Sequence, residues 1–190
     1  MPMVRHRGRR RRVFPGERAL TEAPRVDIDG TAACSRSLAP MTLGRRVIRP
    51  LALEEVEHVA EVLALARLYQ GDGFYLVAWN GDEPLGHVYL ALTDPAELHD
   101  VSVRSEHRRR GVGSALIAAA EREVRGHGRD RLRIAVGIEN EPAQALYRAC
   151  GYIDAGLPPK RVKGTIQIRT GPIEVDDTLL TWEKRLDAGS

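Results

Sequence analysis

Three consecutive arginines, Arg108, Arg109 and Arg110, stand directly before two closely spaced glycines, Gly111 and Gly113. The apolar pattern changes here from strand-like to helix-like, so a strand leads through a short loop into a helix. Glycine has no Cβ atom, which lets a ligand approach the backbone closely. The first amides of a helix lack helical partners and lie at the positive end of its dipole. The pattern predicts a phosphate or pyrophosphate site at residues 108–114, with a solvated basic loop as the alternative.

The spacing of this loop differs from that of two well-defined classes of phosphate loop. The sequence contains no Gly-Lys-Ser or Gly-Lys-Thr triplet, which disfavours an NTP-binding P-loop. Position 116 is leucine, so the Gly-x-Gly-x-x-Gly pattern of dinucleotide-binding loops is absent as well. The loop therefore belongs to neither class.

The elements around the loop indicate an α/β fold. Strands are predicted at residues 46–49, 74–79, 85–92, 97–103, 132–136, 165–168 and 178–182, and helices at residues 54–69, 112–125 and 141–149. Asn80-Gly81 is a strong hairpin signal. Consecutive hairpin strands indicate antiparallel pairing, and the two later strand–helix units indicate a parallel portion. We therefore expect a mixed sheet covered by helices.

Two sequence blocks together resemble the GNAT superfamily of N-acetyltransferases. Arg108-x-x-Gly111-x-Gly113 is similar to the family signature Arg/Gln-x-x-Gly-x-Gly/Ala. Residues 140–152 resemble the family segment Asn-x-x-Ala-x-x-Leu-Tyr-x-x-x-Gly-Phe/Tyr, and the gap between the blocks suits one helix and one strand. The resemblance covers about residues 45–185. It implies the GNAT fold, a mostly antiparallel mixed sheet of six to seven strands that is flanked by helices and splayed at the cofactor site.

The resemblance implies an acetyl-CoA site without a metal. The loop amides of residues 109–114 would bind the pyrophosphate, and strand residues 101–103 would pair through their backbone with the pantetheine arm. The implied cofactor-binding residues are Val101, Ser102, Val103, Arg108, Arg109, Arg110, Gly111, Val112, Gly113, Ser114, Asn140 and Tyr147. Two structural interpretations stay open beside this one. Asn140 precedes Pro142 as a helix N-cap would, and Tyr147 lies on a helical face that could simply be core.

The expected reaction, direct attack of an amine on the acetyl thioester, requires proton transfer. An alkyl amine has a pKa near 10 and must lose a proton before it attacks. The resemblance places Tyr147 near the thioester sulfur as a general acid. Glu97 lies eleven residues before Arg108, where histone-type acetyltransferases carry their catalytic glutamate. His99 is a second candidate base with a suitable intrinsic pKa, and a base relayed through water is also open.

Two further expectations concern the strands that carry these groups. Regular strand alternation predicts that Glu97, His99, Val101 and Val103 share one face. The ribosomal-protein alanine acetyltransferases carry a base glutamate five residues before the matching asparagine. That position is Ala135 in this chain, so the base of that subgroup is absent.

The amino-terminal 40 residues differ in composition from the rest of the chain. They hold nine arginines against four acidic residues, a net charge of +5, whereas residues 41–190 carry −2. Self-repelling arginines and scattered proline and glycine predict a disordered extension, residues 1–40, before one domain, residues 41–190. Arg11-Arg12 resembles a twin-arginine export signal without its apolar region, so a cytoplasmic location is expected. Translation beginning at Met41 is a further hypothesis.

Other features exclude several function classes. The longest apolar run, residues 115–120, is far too short to cross a bilayer. Cys34 and Cys150 are too few for a disulfide framework or a thiolate metal cage, and both are expected to be free thiols. The histidines show no metal-ligand spacing.

The sequence thus predicts acetyl transfer from acetyl-CoA to a primary amine in a ternary complex. The acceptor, a small molecule or a protein amino group, is not identified, and a homodimer stays open. One alternative is a non-catalytic acyl-CoA-binding regulatory module. Another is a nucleic-acid-binding protein that acts through its basic extension.

Overall fold

The computed structural model describes residues 41–43, 46–66 and 73–187. Predictions for residues 1–40, including Cys34, lie outside this part of the chain. Its strands are β1 (Met41–Leu43), β2 (Arg46–Pro50), β3 (Gly73–Asn80), β4 (Glu83–Ala91), β5 (Ala96–Val103), β6 (Arg131–Gly137), β7 (Ile153–Asp154), β8 (Lys160–Ile168) and β9 (Gly171–Arg185). Its helices are α1 (Val56–Val62), α2 (Val112–Gly126) and α3 (Glu141–Ala149). Seven of the strands have five residues or more, and the helices lie between strands along the chain, so the predicted α/β fold class is confirmed.

The strands form one sheet in the order β1-β2-β3-β4-β5-β6-β9-β7, with β8 paired to β9. Every pair is antiparallel except β5–β6. β5 and β6 pair only from Ala96↔Leu132 to Leu98↔Ile134, and β5 then continues to Val103 without pairing to β6. This opening is the predicted splay in the sheet.

Two apolar clusters cover the two faces of the sheet. The α2 face carries the larger cluster, in which Leu116 and Ile117 of α2 pack with strand residues such as Leu98 and with Tyr147 of α3. The α1 face carries the smaller cluster, made by Leu51, Val59, Leu63, Leu65, Tyr75, Val77, Trp79 and Tyr89. Adjacent strand residues alternate between the clusters because side chains in a strand point to opposite faces.

The first helix is shorter than predicted. α1 ends at Val62, and Leu63 has extended backbone angles (φ −122°, ψ 130°). Leu63 and Leu65 are both buried on the α1 face. In an extended chain, residues two apart point to the same side, so this conformation buries both leucines together. The helix prediction is therefore wrong for residues 63–66, and its last part lies outside the described residues.

The last two strands are longer than predicted. β8 and β9 form a hairpin in which Ile168 opposes Gly171 and Lys160 opposes Leu179. Most residues of β8 are exposed. An exposed ribbon lacks a buried side, so its sequence shows little apolar alternation.

None of the described helices combines the length and the apolar composition that crossing a membrane requires. Cys150 is a free thiol, as predicted.

Candidate active site

The loop before α2 passes twice through the left-handed backbone region. The φ angle is 60° at Arg109 and 77° at Gly111, which is the N-cap of α2. The first helical hydrogen bond of this turn runs from the Ala115 amide to the Gly111 carbonyl, at 3.0 Å. The amides of Val112, Gly113 and Ser114 precede it and point out of the helix start. The backbone therefore forms the anion-binding end that the sequence predicts.

Arginine side chains cover carbonyl oxygens beside this helix start. Arg46 Nη1 donates to the Arg110 carbonyl at 3.1 Å, and Arg108 Nε donates to the Val103 carbonyl at 3.0 Å. Arg108, Arg109 and Arg110 are all exposed. Because the negative carbonyl ends are paired with guanidinium groups, the surface left for a ligand is positive.

The two glycines of the motif differ in their surroundings. A Cβ atom built on Gly111 would meet no atom within 4 Å, so space for a ligand is open there. A Cβ atom on Gly113 would lie 3.2 Å from Leu146 Cδ2 and 3.8 Å from Val103 Cγ2. Gly113 therefore also allows α2, α3 and β5 to pack closely, which the sequence analysis did not anticipate.

The strand predicted to pair with the pantetheine arm has one open edge. Ser102 and Val103 pair on one side with His87 and Gly86 of β4. The other edge faces the splay, because pairing with β6 stops at Leu98. An extended chain could add to this edge by backbone hydrogen bonds.

Asn140 and Tyr147 both have the structural roles that the sequence allowed as alternatives, a helix N-cap and a core residue. Asn140 Oδ1 accepts a hydrogen bond from the Ala143 amide at 3.2 Å, so Asn140 is the N-cap of α3. Tyr147 is 6% exposed and belongs to the core on the α2 face. Burial, with a smaller effect of Cys150, raises the pKa of Tyr147 to about 12, so the phenol stays protonated at neutral pH. Contact of either residue with a cofactor stays a prediction.

The two candidate bases lie together on the α1 face. His99 Nε2 is 3.2 Å from Glu97 Oε2, and the ring centroid of His99 is 6.3 Å from that of Tyr89. The Glu97 side chain is 45% exposed and that of His99 is 21% exposed, so both remain accessible. Tyr147 lies on the opposite face, so an acid and a base from these residues would act from the two sides of the splay.

A bulge in β5 overturns one expectation from regular alternation. The register shifts between His87↔Ser102 and Tyr89↔His99, where one β4 residue faces two residues of β5. The extra residue reverses the alternation, so Val101 and Val103 pack on the α2 face rather than sharing a face with Glu97 and His99. The prediction that these four residues share one face is therefore wrong.

The bulge presents Asp100, a residue that the sequence analysis missed. Its φ angle is 53°, in the left-handed region. Its Oδ2 accepts hydrogen bonds from Tyr75 Oη at 3.0 Å and the Ala66 amide at 3.1 Å, and lies 3.3 Å from His87 Nε2. Regular alternation would have placed Asp100 on the apolar side with Leu98. An acidic residue at a position that alternation assigns to the apolar face is the one sequence signal that could have revealed the bulge.

The environment of Asp100 favours its ionised form. Burial by itself raises the pKa of this carboxyl, but the nearby His87 ring, together with the hydrogen bonds from the Ala66 amide and the Tyr75 hydroxyl, outweighs burial. The pKa consequently lies below its ordinary value. Asp100 is therefore a partly buried anion at neutral pH.

The tip of the β8–β9 hairpin reaches the same region. The Arg169 amide donates to the Ala66 carbonyl at 3.0 Å, and Arg169 Nη2 lies 2.6 Å from Glu57 Oε1 of α1. One peptide segment at Ala66 thus joins Asp100 on one side to the hairpin tip on the other.

A surface depression lies beside Asn140, but its lining does not suit phosphate. It has a volume of about 560 Å³ and is lined by Gly137, Glu139, Asn140, Pro142, Glu174, Val175, Asp176 and Asp177. Its four carboxylates would repel an anionic ligand. Within the described part of the chain, no three His, Cys, Asp or Glu side chains are placed to hold one metal ion.

Comparison with known proteins agrees with this geometry. The model of the acetyltransferase (GNAT) family matches residues 46–152. An uncharacterized N-acetyltransferase of Methanocaldococcus jannaschii is 33% identical over 89 residues, which are 43% of this chain and 39% of that protein. A mycothiol acetyltransferase of Acidothermus cellulolyticus is 31% identical over 141 residues, or 64% of this chain and 42% of that protein. The chain thus spans less than half the length of these two relatives.

Solved structures share the fold. A Bacillus subtilis acetyltransferase in complex with CoA has a TM-score of 0.58 and 22% identity, covering 73% of this chain and 97% of that one. At this identity the likeness concerns the fold alone. The two molecules therefore share their overall fold.

Proposed function

Because the chain belongs to the GNAT acetyltransferase family, an acetyl-CoA-dependent class of acyltransferases, we propose that it transfers the acetyl group of acetyl-CoA to a primary amine. The observation that carries this proposal is the helix start at Gly111. It combines a left-handed N-cap, open space where a Cβ would lie, outward amides and exposed arginines. The open edge of β5 begins beside it.

The residues present fit acetyl-CoA, which supplies an activated acetyl thioester when bound. The amides of residues 109–114 would hold the pyrophosphate, with Arg108, Arg109 and Arg110 adding positive charge. The backbone of Val101, Ser102 and Val103 would pair with the pantetheine arm. The cofactor would extend from the loop back along β5, so its thioester end would lie near the bulge.

Tyr147 would donate a hydrogen bond to the departing sulfur. Its pKa of about 12 keeps the proton on the phenol, but that pKa lies about 3 units above that of an ordinary thiol. Complete proton transfer to the thiolate is therefore uphill. A hydrogen bond that stabilises the developing charge is the role that this pKa favours.

Glu97 and His99 would accept the proton that the amine loses. The distance of 3.2 Å between His99 Nε2 and Glu97 Oε2 allows either group to orient the other. Both are accessible from the α1 face, so the acceptor would approach from that side of the splay. A small-molecule amine and a protein amino group remain two forms of this acceptor.

Calorimetric titration of the full chain with acetyl-CoA tests the proposal. Wild type should bind with a Kd in the micromolar range, roughly −8 kcal/mol. Gly111→Glu should abolish binding, because a carboxylate would stand where the pyrophosphate is placed. Gly128→Glu is the matched control, since Gly128 also has a positive φ (70°) and open surroundings but lies at the other end of α2. Its affinity should equal that of wild type.

An amine screen separates the enzyme from its alternative. Release of free CoA thiol with a panel of primary amines is the expected result. Binding of acetyl-CoA without turnover on any amine would instead favour a regulatory acyl-CoA-binding module. Equal binding by wild type and Gly111→Glu would remove the proposed cofactor site.

A further inference from the structure

The carboxylates of the described residues fall into two groups, and Asp100 stands apart from most of them. Four other partly buried carboxylates have lysine or arginine partners: Glu55 pairs with Arg49, Glu83 with Arg104, Glu121 with Lys184 and Glu183 with Arg133. Glu123 of α2 has no ion pair in the described residues, and its Oε2 is buried there without a hydrogen-bond partner. The described contacts of Asp100 are His87, Tyr75 and the Ala66 amide, and include no lysine or arginine. A desolvated anion of this kind is complementary to a cation brought by a ligand.

The contacts of Asp100 leave its position strongly determined. Three groups from β3, β4 and the segment after α1 converge on Oδ2. A non-glycine residue in the left-handed region carries backbone strain, which such contacts must hold in place. Asp100 is thus a fixed carboxylate, and its side chain remains 21% exposed.

Tyr75, whose hydroxyl donates to Asp100, belongs to a row of packed aromatic rings. The ring centroid of Tyr75 lies 5.4 Å from that of His87 and 5.1 Å from that of Tyr89, and Tyr89 in turn lies beside His99. Because its described contacts include no lysine or arginine, the Asp100 carboxylate is suited to a primary ammonium group.

The location along β5 agrees with this chemistry. Asp100 directly precedes Val101, the first of the three residues that would pair with the pantetheine arm, and directly follows His99. In the proposed function the thioester would lie at this end of the edge. An ammonium group at Asp100 would therefore lie next to both the acetyl group and the candidate base.

We propose that Asp100 binds the ammonium group of the acceptor and holds it beside the Glu97–His99 pair before the proton is lost. This inference rests on the proposed function. It assigns Asp100 to recognition of a positively charged amine, and assigns proton removal to a neighbouring group.

NMR titration of the full chain saturated with CoA tests this role without turnover. The probes are n-butylammonium chloride and n-butanol, which differ in charge but hardly in size. Wild type should show saturable shifts of the histidine ring signals with the ammonium ion and none with the alcohol. Asp100→Asn should weaken ammonium binding by at least about tenfold, because the charge is lost while asparagine still tolerates the left-handed backbone.

Two controls keep the result interpretable. Asp100→Asn should retain the CoA affinity of wild type, which shows that the variant is folded. Glu61→Gln removes an exposed carboxylate of α1 and should leave ammonium binding within about twofold of wild type.

The outcomes separate this inference from the proposed function. The role of Asp100 would be overturned by any of three results. Wild type and Asp100→Asn could bind the ammonium ion equally, wild type could bind the alcohol as well as the ammonium ion, or wild type could fail to bind the ammonium ion. If CoA itself did not bind, the proposed function would fail, and the same titration of the free protein would still decide the inference.

Discussion

The α2 face and the α1 face of the sheet meet at the splay, but they are built from different kinds of contact. On the α2 face, the anion-binding loop is a local structure: Gly111 caps the helix whose first turn it precedes, and its hydrogen-bond partner is Ala115. On the α1 face, Asp100 depends on partners 34 and 25 residues away, at Ala66 and Tyr75. The hairpin tip reaches α1 across 112 residues, from Arg169 to Glu57.

Two carboxylates, one on each face, also differ in their partners. Glu121 of α2 is paired with Lys184 of β9 at 2.8 Å, and the same lysine donates to the Cys150 carbonyl. Asp100 has only a histidine and neutral donors among its described contacts. A paired carboxylate joins elements of the scaffold, whereas a carboxylate without a basic partner remains available to a cationic ligand. In the proposed function, the loop before α2 would hold the cofactor and Asp100 on the α1 face would bind the acceptor.

The largest effect on stability is expected on the α2 face, for Lys184→Met. Loss of the lysine leaves Glu121 buried without its main partner, although Arg125 remains at 3.9 Å. Removing one member of a buried pair costs about 3 kcal/mol, the lower end of the usual range, because of that residual partner. Thermal unfolding should show a Tm lower by about 6–12 °C. Lys163→Met, at an exposed pair in the hairpin, should change stability by less than about 0.5 kcal/mol.

A Tm of Lys184→Met close to that of wild type would contradict this prediction. It would mean that the ion pair contributes little to joining α2, α3 and β9.

The next effect concerns catalysis, for Tyr147→Phe. Loss of the hydrogen bond to the departing sulfur should lower kcat by about 100-fold and leave acetyl-CoA affinity unchanged. Tyr152→Phe is the matched control, because the two ring centroids are 6.1 Å apart and the Tyr152 hydroxyl is buried without a hydrogen-bond partner in the described residues. Steady-state kinetics of both variants should show loss of kcat in the first alone. Equal rates for all three proteins would leave Tyr147 as a core residue only.

A smaller effect is expected from Asp100→Asn on acid unfolding. The folded-state pKa of Asp100 lies below its unfolded value, so the ionised group contributes stability above about pH 4. That contribution is lost as the pH falls through the folded-state pKa. The variant should be less stable than wild type by about 1–2 kcal/mol at pH 7, with the difference vanishing toward pH 2. Urea unfolding between pH 2 and pH 7 measures this, and a constant difference across that range would contradict it.

The smallest effect has the opposite sign, for Glu123→Gln in α2. Burial raises the pKa of Glu123, and the nearby charges of His127 and Arg122 only partly offset this. The ionised side chain therefore destabilises the fold above about pH 4. The variant should be more stable than wild type at pH 7 by up to about 1 kcal/mol, and equal to it below about pH 4. A variant less stable than wild type at pH 7 would show that Glu123 makes a favourable interaction in its charged form.

Prediction from the sequence succeeded for local features and failed where distant segments pack together. The bounds of α3 and the start of α2 were predicted correctly, because caps and helical periodicity are local properties. The end of α1 was not, since Leu63 and Leu65 leave helical geometry to pack against strands far along the chain. The bulge at Asp100 was missed because alternation assumes regular pairing, and only the partner strand determines where pairing is irregular.

The sequence by itself determined the mixed sheet, the positive helix start at Gly111 and the resemblance to an acetyltransferase family, because each depends on residues close together in the chain. The tertiary structure decided which face each side chain of β5 occupies, which groups contact Asp100 and how the hairpin tip meets the segment after α1. These features depend on register and burial, which arise only when distant segments pack. A single extra residue in β5 moved Val101 and Val103 to the face opposite Glu97 and His99.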